Sequence, residues 1–275
     1  MKKLQGSMIV SAMIFAFIAC TSFPYATTNQ FYKNRSKQLQ QELKLNPGIQ
    51  TVEQLTKASQ WVGTTNFDLR KPNFVIIHHT AQNSCQETLK TFTLERTKVS
   101  AHYVICKDGT IHHMLNDYYR AWQAGISKWG NNSDINSSSI GIELDNNGFD
   151  PFDTAQINSL VLLLEQLKKN YSIPETNFIG HGDIAPKRKV DPNIHFPWKY
   201  LTSKGYGMWF DPQPNYILPV NTSISYALAL VGYDIKDTTA AILAFKRHFR
   251  QDSTAIITPE DQSVLAQLIQ YKFTK

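Results

Sequence analysis

The apolar positions along the chain fall into short blocks of two kinds. Phe74-Val75-Ile76-Ile77-His78-His79-Thr80 is a β-branched run of the length of a buried strand. A helical segment follows from Gln86 to Arg96. Ala101-His102-Tyr103-Val104-Ile105-Cys106 and Ile111-His112-His113-Met114-Leu115 flank Asp108-Gly109, a strong hairpin signal. Ser139-Ile140-Gly141-Ile142-Glu143-Leu144 alternates, with Ile140, Ile142 and Leu144 on one face and Glu143 on the other. Ile157, Leu160, Val161, Leu164 and Leu167 recur at helical spacing after a cap at Asp153 or Thr154, and Pro174 marks the far end. Phe178-Ile179-Gly180-His181 reads as a further strand ending at a polar site. Strands alternating with helices predict an α/β domain, a mixed β-sheet flanked by helices.

Residues 206–220, with Gly207, Pro212, Pro214 and Pro219, read as a linker. Three helical patterns follow in 221–275. The first carries Ile224, Ala227, Leu228 and Val231 and stops at Gly232. The second starts at Asp237 and carries Ile242, Phe245 and Phe249. The third opens Thr258-Pro259-Glu260-Asp261, with acidic residues at the positive helix end. This predicts a small C-terminal three-helix module.

The N-terminus has a different character. Lys2 and Lys3 precede an apolar stretch from Met8 to Ala19 that is too short to span a bilayer comfortably, so residues 1–19 read as an export signal. Phe17-Ile18-Ala19-Cys20 resembles a bacterial lipoprotein box, which makes Cys20 the expected lipidation site; two lipid attachment points give stable anchoring where one does not. Residues 20–47, polar and poor in periodic apolar positions, read as a tether, with the folded domain beginning near 48. The 28 Lys plus Arg against 22 Asp plus Glu give +6, or 26 − 22 = +4 once Lys2 and Lys3 are removed. No dense basic run accompanies that charge, so nucleic acid is not an expected partner. Cys85 and Cys106 remain, without metal-ligand spacing; two separate packed thiols is the simpler expectation, with pairing open in an oxidising compartment.

Several of the eight histidines lie at strand ends near carboxylates, which suits zinc with nitrogen and oxygen ligands. His78 and His79 are adjacent on a strand and point to opposite faces, and parity alone does not choose between them. His181 and Asp191 are separated by Pro186, so a loop that folds back is needed to bring them to one metal. Lys189, two residues before Asp191, faces the same side in an extended segment.

The ordered set Ile77-His78-His79-Thr80-Ala81, Ile140-Gly141-Ile142-Glu143 and His181-Gly182-Asp183-Ile184-Ala185-Pro186 through Arg188-Lys189-Val190-Asp191-Pro192 resembles the type 2 N-acetylmuramoyl-L-alanine amidases. It is nearest to their outer-membrane lipoprotein branch, in which a peptidoglycan-binding-like module follows the catalytic domain. The resemblance implies a zinc amidase domain over 48–205, with a Zn2+ site at the strand ends formed by His78, His181 and Asp191. It implies that Glu143 handles the proton of the attacking water and that Lys189 steadies the oxyanion. His102, Trp122 and Trp129 match segments lining the substrate groove, and Gln123 stands where relatives often carry histidine. Asn193 stands where they often carry Gly.

The activity so implied is hydrolysis of the lactyl–L-Ala amide bond of peptidoglycan or anhydro-muropeptides, by a monomer attached to the outer membrane through its lipid and facing the periplasm. A peptidoglycan-recognition protein that binds without cutting is the alternative, as is a zinc hydrolase of some other amide. The non-cutting relatives lose a zinc ligand or the catalytic acid, whereas here every matched position is filled.

Overall fold

The computed structural model describes residues 23–44, 64–66, 68–211 and 216–274, and the chain divides into one unit up to Thr65 and a second from Asn66 to Lys275. The export signal, Cys20 and the expected domain start near 48 lie outside the described residues. In the first unit, the stretch read as a tether contains a helix, α1 (Ala26–Lys44). It buries no residue, yet its Gln, Lys, Leu and Glu content favours helix without an apolar stripe, and Gln30 donates to Asn34 one turn on. Among the described residues no helix is long and apolar enough to cross a membrane.

The second unit is built on a five-stranded sheet. Its strands are β1 (Phe74–His79), β2 (Tyr103–Ile105), β3 (Ile111–His113), β4 (Ser139–Leu144) and β5 (Phe178–Gly180), in the order β3-β2-β4-β1-β5. All pairings are parallel except the β2–β3 hairpin, whose turn places Gly109 at φ +88°. Helix α2 (Cys85–Thr93), shorter than expected, is capped by the Ser84 side chain and follows β1. Cys85 at its start forms a disulfide with Cys106 just past β2, which corrects the expectation of separate thiols. They are 21 apart in sequence, and the fold of the intervening helix brings their Cα atoms to 5.3 Å.

Each face of the sheet has its own core. On one, Val75, Ile77, Ile140, Ile142 and Leu144 meet Leu160, Leu164 and Leu167 of α3 (Thr154–Tyr171). The hydrophobic period of 3.6 on α3 and of 2 on β4 predict this contact directly. On the other, Ile76 and Ile179 pack with Trp129, Ile135, Met208 and the C-terminal helices α6 (Ile224–Val231), α7 (Thr238–Arg250) and α8 (Pro259–Thr274). Before them come a single turn α4 (His181–Ile184) and the short α5 (Trp198–Ser203).

The helix starts follow the sequence signals. Asp237 accepts from the Ala240 N–H, and Thr258 and Asp261 cap each other reciprocally at the head of α8. The three helices share the core of the sheet's second face instead of forming a separate body, and Tyr206 and Met208, in the stretch leading to them, are buried.

Candidate metal centre

Parallel register sets the first two residues of the site. His78 on β1 lies beside Glu143 on β4, so both side chains emerge on the same face near the carboxyl ends of their strands. His181 follows the last residue of β5 and lies on the same side. The loop after it folds back through a 2.6 Å hydrogen bond from the Gly182 N–H to the Asp191 carbonyl, which brings the Asp191 carboxylate under both rings.

His78 Nδ1, His181 Nδ1 and Asp191 Oδ2 then form a triangle with every edge 3.0 Å. All three residues are buried. Neighbouring ligands on a tetrahedral zinc with bonds of about 2.0–2.1 Å lie roughly 3.3 Å apart, so the donor set and its spacing fit the metal. Two imidazole nitrogens and a carboxylate oxygen meet here out of water, an arrangement that calls for a cation among them.

The outer nitrogens are also accounted for. His78 Nε2 donates to Gln123 Oε1 at 2.5 Å and His181 Nε2 donates to the Ala124 carbonyl at 3.1 Å. Both bonds select the tautomer that leaves Nδ1 facing inward. Gln123 is fixed in turn by its own donation to Ser139 Oγ at 2.8 Å.

Burial works against charging His78, but Glu143, Asp191 and Gln123 outweigh it and raise its pKa. His181 is depressed to about 4 by burial and by the neighbouring His78. Burial opposes ionisation of Asp191, yet its bonds to the two rings hold it well below the usual carboxylate range. Glu143 is pushed up to about 6 by burial, with Asp191 adding to that and His78 and Lys189 opposing it. Its Oε1 lies 4.0 Å from His78 Nδ1, and its buried Oε2 has no protein partner.

The family profile described as N-acetylmuramoyl-L-alanine amidase matches residues 68–194. Over 207 residues the chain is 36% identical to the N-acetylmuramoyl-L-alanine amidase AmiD of Escherichia coli, covering 64% of this chain and 74% of that one. The chain belongs to the N-acetylmuramoyl-L-alanine amidase family. It is also 42% identical over 108 residues to the 1,6-anhydro-N-acetylmuramyl-L-alanine amidase AmpD of Haemophilus influenzae, covering 38% of this chain and 59% of that one. Among solved structures, the E. coli AmiD complex with the substrate anhydro-N-acetylmuramic acid-L-Ala-D-γ-Glu-L-Lys aligns with a TM-score of 0.66 and 30% identity, covering 78% of this chain and 93% of that one. AmpDh3 from Pseudomonas aeruginosa aligns with a TM-score of 0.69 and 28% identity, covering 80% and 100%.

Within this family member, the sheet and loop bring together His78, His181, Asp191, Glu143 and Lys189, whose charge reaches both Glu143 and His181. His79 points to the other face, is buried, and has its pKa lowered mainly by that burial. Two of the expected groove residues are corrected. His102 is fully buried, donates from Nε2 to the Tyr119 carbonyl and accepts the Gly141 N–H on Nδ1, so both ring nitrogens serve the backbone. Trp129 is 5% exposed, lies edge-on to Tyr233 and leaves no room for a side chain at Gly232, where a Cβ would come within 2.5 Å of its ring. Trp122, by contrast, is half exposed.

Gln123, which the sequence marked only as a departure from relatives, holds His78, and Gly141, to which the sequence reading gave no role, makes room for it. A Cβ at Gly141 would fall 2.6 Å from Gln123 Cγ, so the glycine on β4 is the gap through which Gln123 reaches His78. The glycine at the centre of the alternating Ile140–Leu144 pattern was the available signal: a glycine inside a strand marks close approach by something else. Arg188 donates to the Ala124 and Ile126 carbonyls and so ties the ligand loop to the Gln123 segment. Asn193 donates to Asn146 and to the Asp150 carbonyl, bracing the chain just after Asp191.

Proposed function

We propose that this family member hydrolyses the amide bond between the lactyl group of a muramic acid and L-alanine, using zinc held by His78, His181 and Asp191. The observation that carries the reading is the 3.0 Å triangle of donors with the unpartnered Glu143 carboxylate oxygen beside it. Held by these three residues, zinc would supply a water nucleophilic near neutral pH and would withdraw charge from the scissile carbonyl.

The chain's own groups supply the rest. Glu143, with its pKa pushed up to about 6, is ionised at neutral pH and takes a proton from the attacking water. The same elevation makes the carboxylic acid competent to pass that proton to the departing amine nitrogen of L-alanine. The Lys189 ammonium compensates the charge that develops on the carbonyl oxygen. Gln123 and the Ala124 carbonyl keep the two imidazoles in register, so ligand geometry does not depend on substrate.

The substrate class is a muramoyl peptide, with 1,6-anhydro-muropeptides as the favoured form. This rests on the bound compounds in two similar structures, the AmiD complex already described and AmpDh3 with an anhydromuramic pentapeptide, which is 27% identical with a TM-score of 0.68. The half-exposed Trp122 ring is a fitting surface for sugar or peptide, and the C-terminal helices are a candidate to hold wall polymer. We place the enzyme on the periplasmic side of an outer membrane, tethered by lipid at Cys20, a reading supported by the Phe17–Cys20 box. A helix of the length of α1 would give a spacer of about 28 Å.

The test compares the chain lacking residues 1–20 with its Glu143→Ala variant on defined anhydro-muropeptides, following peptide release by mass spectrometry and bound zinc by metal analysis. Release by the parent, with turnover lowered about a hundred- to ten-thousand-fold and zinc retained in the variant, is expected. A zinc-loaded parent that binds muropeptide and releases no peptide would replace hydrolysis with recognition alone.

A further inference from the structure

Asp183 lies two residues after the ligand His181 and takes no part in the donor triangle, yet it is buried and fully engaged. Its Oδ2 accepts the Gly180 N–H at 3.0 Å and His248 Nδ1 at 2.7 Å, and its Oδ1 accepts the Tyr233 hydroxyl at 2.8 Å. The first donor is the backbone residue that immediately precedes His181. The other two belong to the C-terminal helices: Tyr233 follows α6 and His248 sits on α7.

Both donors are themselves immobilised. His248 stacks on Trp198 with ring centroids 4.0 Å apart, and Tyr233 meets Trp129 edge-on at 5.1 Å. Burial and the neighbouring Asp183 raise the Tyr233 pKa well above its ordinary value, which keeps the hydroxyl a donor. The junction also touches the other end of the ligand loop. Gly182, Asp183, Asp191, Arg247 and His248 line one small cavity, and a Cβ at Gly182 would meet Arg247 at 3.0 Å and the Asp191 carbonyl at 3.3 Å. The turn bearing His181 is therefore pressed between the loop segment at Asp191 and α7, and its one buried carboxylate is satisfied largely from the C-terminal side.

We infer that Tyr233 and His248 are positioning residues of the metal centre: through Asp183 they fix the turn that presents His181, so the C-terminal helices act as part of the zinc site's scaffold. This rests on the zinc reading above. Without those two donors the buried carboxylate retains a single backbone partner and must seek water, and the turn rotates with it. Hydrogen-bonded supports behind metal ligands typically account for about a ten- to hundredfold share of metal affinity, and a support acting through the backbone should fall at the lower end.

The experiment measures zinc affinity by chelator competition, well below each protein's melting temperature. It compares the parent, Tyr233→Phe, His248→Asn, the Tyr233→Phe/His248→Ala double variant and Leu265→Ala. Leu265 is fully buried among the same helices and is no member of the junction, so its truncation loosens their packing without touching Asp183. The expected result is zinc binding weakened about tenfold in the double variant, with Leu265→Ala within twofold of the parent despite a lowered melting temperature. His248→Asn, whose amide nitrogen can take the place of Nδ1, should recover most of the affinity. Equal affinity in the double variant and the parent overturns the inference, as does an equal loss in Leu265→Ala. If the double variant does not fold, Tyr233→Phe decides alone: a severalfold loss of zinc affinity is expected, and affinity equal to the parent's overturns the inference. A parent that binds no zinc at all refutes the zinc reading itself, and the inference with it.

Discussion

The two faces of the sheet are covered in different ways. Behind Val75, Ile77, Ile140, Ile142 and Leu144 lies chiefly one long helix, α3, close in sequence to β4 and apolar along a single stripe, with Phe196, Trp198, Leu201 and Tyr206 completing the core. In front, Ile76 and Ile179 are covered by pieces drawn from residues 124–135, from Met208 and from three helices near the end of the chain. The β1 and β4 side chains packed under α3 are hydrocarbon. The face with the composite cover carries Ser139, Gly141, Glu143 and His78. A site needs side chains that a continuous apolar stripe would exclude, and a cover assembled from separate pieces can leave room for them where the pieces meet.

Truncating the two covers puts that contrast under the most strain. Leu164→Ala behind the sheet and Leu265→Ala in front remove fully buried side chains from α3 and α8. Each is expected to cost about 2–5 kcal/mol of stability, read as a lower melting temperature. Because one compact unit contains both faces, both variants should shift a common transition; two separated transitions would make the faces independent.

A smaller and more local effect is expected at the seam between cover and sheet. Gly141→Ala places a methyl where Gln123 Cγ now runs, and the displaced amide can no longer hold His78 Nε2. Zinc affinity should fall about ten- to hundredfold. Adding Gln123→Ala should relieve the clash, restoring stability without restoring affinity. Full recovery of zinc binding in that double variant would remove Gln123 from the site.

The smallest effect is electrostatic. Glu143 has a pKa raised from 4.5 to about 6 in the fold. An acid with a raised folded pKa favours the native state while protonated, and that contribution is lost as pH climbs from about 4.5 to 6. The loss amounts to roughly 2 kcal/mol in the metal-free protein. Metal-free Glu143→Gln should therefore match the parent at low pH and melt higher at pH 7. In the zinc enzyme the same ionisation should make turnover fall as the solution is acidified. Identical melting of parent and variant across this range would mean that the carboxylate is not desolvated.

The elements of the rear face were legible because each follows a repeat. β4 begins and ends where the alternation of Ile140, Ile142 and Leu144 does, and α3 spans the recurrence of Ile157 to Leu167. Periodicity reports which residues share a face, and it says nothing of what comes to meet them. Trp129, part of an aromatic-flanked segment, looked like groove lining, and only the approach of Gly232 from a hundred residues downstream makes it core. His102 looked like a polar group on a strand because nothing local reveals that the Tyr119 carbonyl and the Gly141 N–H bracket its ring. The converging of His78, His181 and Asp191 was anticipated by family resemblance; spacing alone could not close the loop between the last two. α1 went unread because helix propensity without a stripe leaves no period to detect.

The composite cover also has a kinetic consequence. Ile76 shares its core with Leu265 and Leu268, so this face closes only when the two ends of the unit meet. Such long-range closure carries a large entropic cost before any contact rewards it, and it slows folding. A chain stopped before Ile224 would contain every candidate zinc ligand together with Glu143 and Lys189, yet would leave Ile76 and Ile179 facing water. It would be prone to associate with its neighbours before it could cut anything, and the helices that follow Ile224 are the ones that cover this sticky surface.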